Sequence, residues 1–112
     1  MHPITTHVLN TSSGLPASGI NVTLEIQNDD SWNLISRSQT NDDGRIMTWP
    51  ESYELQNAVY RIKFFTKEYF EAKKEETFYP YVEIVFEINS ARQHFHVPLL
   101  ISNFGYSTYR GS

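Results

Sequence analysis

Apolar and polar side chains alternate with a period of two through much of this chain, the pattern of strands with one buried and one wetted face. Val22, Leu24 and Ile26 alternate with Asn21, Thr23, Glu25 and Gln27. Tyr60, Ile62 and Phe64 alternate with Arg61 and Lys63, and Val82, Ile84, Phe86 and Ile88 with Glu83 and Glu87. Further strands are predicted over residues 4–9, 32–40, 94–101 and 105–110. One dry face per strand is the habit of antiparallel sheets. Asn28-Asp29-Asp30-Ser31 and Asn41-Asp42-Asp43-Gly44 read as hairpin-type turns, residues 14–19 as a loop, and Asn103-Phe104-Gly105 as a turn between the last two strands. One short helix is expected, with Thr66 as its cap, Glu68 and Glu71 early, and Lys73 and Lys74 late, matching the helix dipole. Seven or eight short strands with one helix and no internal repeat or linker predict an all-β sandwich, a single domain over residues 1–112.

Composition narrows the function more than the fold. A net charge of −4 argues against nucleic acid or an anionic membrane surface as the main partner. The absence of cysteine excludes disulfides, thiol nucleophiles and cysteine-zinc sites. Apolar runs are too short to span a bilayer, and the first residues lack the basic start and apolar block of a secretory signal, so the expected location is the cytoplasm. At 112 residues the domain buries a smaller share of its surface than a larger one, and oligomerisation would add stability.

Candidate chemistry centres on the four histidines, His2, His7, His94 and His96. His94 and His96 share parity on one strand and point to the same face. The bland reading makes strand histidines surface or satisfied core residues. His-x-His plus a third histidine also matches a zinc geometry, but no carboxylate joins the set, and the metal-free reading ranks above it. Arg45, after the Asp42-Asp43-Gly44 turn, reads by itself as a solvated surface residue, and Phe104, Tyr106 and Tyr109 as core or interface aromatics.

The order of these residues changes that weighing. The chain opens with Thr5-Thr6-His7-Val8-Leu9-Asn10-Thr11, then Gly14-Leu15-Pro16-Ala17. Its middle carries Thr40-Asn41-Asp42-Asp43-Gly44-Arg45, and its end His94-Phe95-His96-Val97-Pro98-Leu99-Leu100 and Tyr106-Ser107-Thr108-Tyr109-Arg110-Gly111-Ser112. Over essentially the whole chain this resembles the 5-hydroxyisourate hydrolases, the enzyme branch of the transthyretin family. The closing Tyr-Arg-Gly-Ser is the most specific element, separating hydrolases from hormone carriers. Asn10, Phe95 and Asn103 depart from the commoner aspartate, tyrosine and proline.

The resemblance implies a transthyretin-like sandwich of two four-stranded sheets with one short helix. It implies a homotetramer, a dimer of dimers, with active sites at the dimer–dimer interface in a central channel. The implied reaction is hydrolysis of 5-hydroxyisourate to 2-oxo-4-hydroxy-4-carboxy-5-ureidoimidazoline in urate catabolism, with no metal or organic cofactor. It places His7, Arg45, His96 and Ser112 in catalysis, and His7, Arg45, Tyr109, Arg110 and Gly111 at the substrate. A neutral imidazole suits proton abstraction from water near pH 7. Which of His7 and His96 takes the proton stays open, and His94 is assigned a peripheral role. The fixed charge of Arg45 suits a carbonyl oxygen that becomes an oxyanion. Ser112 is read as a hydrogen-bonding partner, since no Gly-x-Ser-x-Gly elbow supports an acyl-enzyme. Two alternatives compete: a transthyretin-type carrier of an aromatic ligand in the channel, and a non-catalytic interaction module. Neither gives a reason for paired histidines, an arginine and a polar terminus together.

Overall fold

The computed structural model describes residues 3–90 and 93–111. Two sheets face each other. The first is built on β1 (Ile4–Asn10), which pairs along one edge with β8 (Phe95–Ile101), itself paired with β9 (Tyr106–Thr108). The other edge of β1 takes two short pieces, β2 (Leu15–Pro16) and β5 (Arg45–Ile46), so this sheet counts five strands where four were expected. The second sheet runs in the order β4 (Ser31–Gln39), β3 (Asn21–Asn28), β6 (Ala58–Phe64), β7 (Val82–Ile88), antiparallel throughout. The expected sandwich of two sheets with one short helix, α1 (Thr66–Ala72), is the fold observed.

The core lies between the sheets. Ile4, Val8, Val97, Leu99 and Ile101 face Val22, Leu24, Tyr60, Ile62, Phe64 and Ile88, all buried. The predicted alternation therefore sets the inner face of both sheets. Trp49 closes one end, its indole N–H donating to the Ile4 carbonyl at 2.9 Å. Trp32 lies under the Arg61 guanidinium, 4.4 Å from its ring centre, beside the Arg61–Glu25 ion pair. Among the described residues no helix is long and apolar enough to cross a membrane.

Two local expectations are corrected. Residues 41–44 do not close a hairpin: β4 and β5 belong to different sheets, and the turn carries the chain across the sandwich. β1 and β8 pair in parallel, which their long connection through nearly the whole chain permits. Thr66 does not cap α1; Phe65 holds the cap position without a side-chain bond. Packing wins over capping here, since Thr66 is buried and its hydroxyl finds no hydrogen-bond partner among the described residues. Lys73 and Lys74 fall just past the last helical turn.

The crossing turn depends on Gly44. Its φ is +73°, and a Cβ there would run into the Val8 carbonyl oxygen, while the Gly44 carbonyl accepts the Val8 N–H at 2.7 Å. Gly14 has a similar φ of +75° with open space around it. Gly44→Ala is expected to destabilise the fold by more than the roughly 1–2 kcal/mol that a left-handed alanine alone costs, with Gly14→Ala as the comparison. Urea denaturation midpoints check this; equal midpoints for the two variants would mean that the close approach at Val8 does not matter.

Candidate active site

Inward and outward residues alternate along β1 and β8, so Thr5 and His7 share the outward face with His96 and Pro98. The register makes this a cluster. Thr5 lies opposite His96 and His7 opposite Pro98 across the parallel pair, and on the other edge His7 lies opposite Arg45. Neighbouring strands are only about 5 Å apart, so His7, Arg45 and His96 stand together on one open sheet face. They come from residues 7, 45 and 96, three segments joined only by the sheet.

Thr5 is fully buried beneath the histidines. Its Oγ1 lies 2.8 Å from His96 Nδ1 and 2.9 Å from His94 Nε2. His94 sits just before β8 and stacks loosely on His96, with ring centres 6.4 Å apart. His94 thus touches the cluster through Thr5.

The terminal segment runs alongside. β9 pairs with β8 through Leu99–Thr108, and the chain continues until the Gly111 N–H donates to the His96 carbonyl at 2.8 Å. A Cβ on Gly111 would sit 2.6 Å from His96 Cδ2, so a residue without a side chain lets the terminus lie against the ring. Tyr109 is exposed. Arg110 donates to Gln93 Oε1 at 2.8 Å and its guanidinium lies 4.9 Å from the ring centre of inward-facing Phe95. These contacts strap the closing segment to the start of β8, and Arg110 lines one cavity together with His96 and Tyr109. Ser112 lies outside the described residues, as does His2.

Electrostatics favour neutral rings. Burial first, then the nearby Arg45 charge, holds His96 below the ordinary histidine value, with His94 and His7 adding to it. His7 is lowered by burial and by Arg45, opposed by the Asp43 carbonyl and carboxylate. Both rings are therefore uncharged at neutral pH and able to accept a proton. Since both folded values lie below the unfolded value of about 6.5, the unfolded chain takes up protons first as pH falls. Stability from these two groups is present above that value and is lost on acidification through the folded values. Ring titration followed by NMR is expected to place both pKa values below that of a free histidine, and Arg45→Gln to raise both. Unchanged values in that variant would remove Arg45 as a cause.

Among the described residues, no group of three or more His, Asp or Glu side chains is arranged to hold a metal ion. Thr5 was missed as a member of the site. Its parity with His7 was readable, but its contact with His96 needs the parallel register, which no local pattern encodes.

The chain matches the model of the HIUase/Transthyretin family over residues 4–111. It is 44% identical to a 5-hydroxyisourate hydrolase of Salmonella typhimurium, covering 97% of this chain and 80% of that one. Among solved structures it is similar to Klebsiella pneumoniae 5-hydroxyisourate hydrolase, with a TM-score of 0.85, 34% identity, and 97% and 98% of the two chains covered. It is also similar to sea bream transthyretin in complex with thyroxine, with a TM-score of 0.91, 26% identity, and 98% and 95% covered. Backbone shape is thus shared with the hydrolase and with the thyroxine-bound transthyretin alike. The pairing of β1 with β8 on one edge and with β5 on the other brings His7, Arg45 and His96 to one face of that shared backbone, and with the match over residues 4–111 the chain belongs to the HIUase/Transthyretin family.

Proposed function

We propose that this protein hydrolyses 5-hydroxyisourate to 2-oxo-4-hydroxy-4-carboxy-5-ureidoimidazoline, a step of urate degradation. The observation that carries the reading is the convergence of His7, Arg45 and His96 on one face of the first sheet. The names of full-length relatives support it over the carrier reading. A carrier of an apolar aromatic ligand has no use for two neutral imidazoles beside a fixed cation.

In this reading His96 takes a proton from the attacking water, because its Nδ1 is engaged by Thr5 and its Nε2 remains for the site. Water adds to a ring carbonyl, the oxyanion forms beside the Arg45 guanidinium, and the adjacent C–N bond breaks with the proton returned to nitrogen. His7, opposite Arg45, orients the substrate or the water. Tyr109 and Gly111 border the substrate, Arg110 holds their backbone in place, and Ser112 supplies a terminal hydrogen-bonding partner.

The assembly follows the same reading: a homotetramer, a dimer of dimers, whose interface covers the open face that carries the site. Two observations support an edge-to-edge dimer. β7 and β9 are outer strands of the two sheets, each with one unpaired backbone edge, and residues 84–87 and 108–110 beside them line one cavity. Val85 and Tyr106 are exposed there, 57% and 43%. We also place the reaction in the cytoplasm; a chain without cysteine needs no oxidising compartment to fold.

The test is the decay of 5-hydroxyisourate, generated fresh by urate oxidase and followed by ultraviolet absorbance, with and without a catalytic trace of this protein. Marked acceleration over spontaneous decay is expected. No acceleration by folded protein would overturn the reading and turn attention to a ligand carried in the channel.

A further inference from the structure

A hydroxyl has one proton to give, and Thr5 has two ring nitrogens within hydrogen-bond distance, His96 Nδ1 at 2.8 Å and His94 Nε2 at 2.9 Å. Its side chain is fully buried, so water does not supply a substitute partner. Accepting from both rings would leave the buried Thr5 proton without an acceptor among the described residues, so Thr5 donates to one ring and accepts from the other. That couples the two histidines: the ring that accepts from Thr5 carries its proton on the far nitrogen, and the ring that donates carries it on the near one.

The two possible polarities are not equivalent. If Thr5 donates to His96, the His96 proton sits on Nε2 and the ring has no lone pair for water. If Thr5 donates to His94, His96 carries its proton on Nδ1 and presents a bare Nε2. Only the second survives proton uptake by His96, because an imidazolium has an N–H at both positions and its Nδ1 must donate. In that polarity no hydrogen bond has to reverse as the ring becomes charged.

We propose that Thr5 is a positioning residue for hydrolysis, whose buried hydroxyl donates to His94 and accepts from His96, holding His96 in the tautomer with a free Nε2. His94 is the acceptor that makes this polarity possible, which gives a purpose to the first histidine of His94-Phe95-His96. The proposal rests on the reading of His96 as base, but the tautomer itself is measurable without substrate.

The experiment combines kinetics with nitrogen-15 NMR of the histidine rings in the full-length protein at neutral pH. The parent is expected to show His96 protonated on Nδ1. Thr5→Val, close in shape but without the hydroxyl, should release that preference and lower kcat by about 10–100-fold, the magnitude known for losing the hydrogen-bond partner that orients a metal-bound histidine, with KM changed little. Thr5→Ser should restore both the tautomer and most of kcat, which a purely structural loss would not explain. His94→Phe should let Thr5 donate to His96 and move its proton to Nε2. A parent ring protonated on Nε2, parental kcat in folded Thr5→Val, or a Thr5→Ser variant as slow as Thr5→Val would each overturn the proposal. If Thr5→Val does not fold, the His94→Phe tautomer decides. If the parent fails to accelerate 5-hydroxyisourate decay, the functional reading falls while the tautomer result still stands for or against Thr5.

Discussion

Replacing His96 with Ala is expected to slow 5-hydroxyisourate hydrolysis by about 10²–10⁴-fold, the usual worth of a positioned general base. His96 lies on the outward face of β8, and Thr5 holds one of its nitrogens while the other remains for chemistry. Gly111 runs directly against its ring. Burial and Arg45 keep the ring neutral. The loss should fall on kcat, since deletion of the base removes an interaction made as the proton moves. The fold should survive, because the side chain is only half-buried and contributes no inward packing. Circular dichroism and sizing establish the folded state, and absorbance kinetics give the rate. A folded His96→Ala variant with unchanged turnover would take His96 out of the mechanism. His7→Ala provides the contrast: a smaller loss there would assign it to orientation, and a larger one would exchange the two roles.

Arg45→Ala is expected to cost about 10²–10³-fold in kcat, the magnitude for losing one preorganised donor to an oxyanion. Arg45 pairs across the strand with His7, so its placement comes from β5 joining the free edge of β1. Lysine keeps the charge but not the planar fork, so Arg45→Lys should recover part of the loss and no more. A second effect separates charge from shape. Arg45 lowers both histidine pKa values. Without it, protonation begins at higher pH, and the acid limb of the rate profile should move upward in Arg45→Ala but stay in place in Arg45→Lys. A pH–rate series on the three proteins checks this. An unmoved limb in Arg45→Ala would mean that the titrating base does not feel Arg45, and so is not His96 or His7.

The sandwich was readable because each strand solves the same local problem. A strand with Val22, Leu24 and Ile26 on one side can bury that side only against another such face, and period-two alternation states which side it is. Turn positions at Asp29-Asp30 and after Ser102 were readable for the same local reason. What failed were statements about partners. Asn41 to Gly44 has the chemistry of a hairpin turn, yet its following strand pairs with β1, because Gly44 can approach the Val8 carbonyl and a residue with a side chain cannot. Thr66 has the chemistry of a helix cap, yet burial beside Phe70 outweighs it.

For the site, the sequence by itself determined the inventory: two histidines of the right parity, an arginine after a turn, a polar terminal tetrapeptide, and no cysteine. Through its resemblance it also pointed to the reaction. Only the tertiary structure decided which of these groups meet. The parallel register of β1 and β8 sets Thr5 under His96, and β5 brings Arg45 beside His7. Arg110, alike in the motif to its neighbours, is turned to Gln93 and Phe95. The physical reason is one of range. Side-chain parity is fixed by a residue's immediate neighbours, whereas register between strands some ninety residues apart in the chain is fixed by the sum of core contacts on both sheets, and no short stretch of sequence carries that sum.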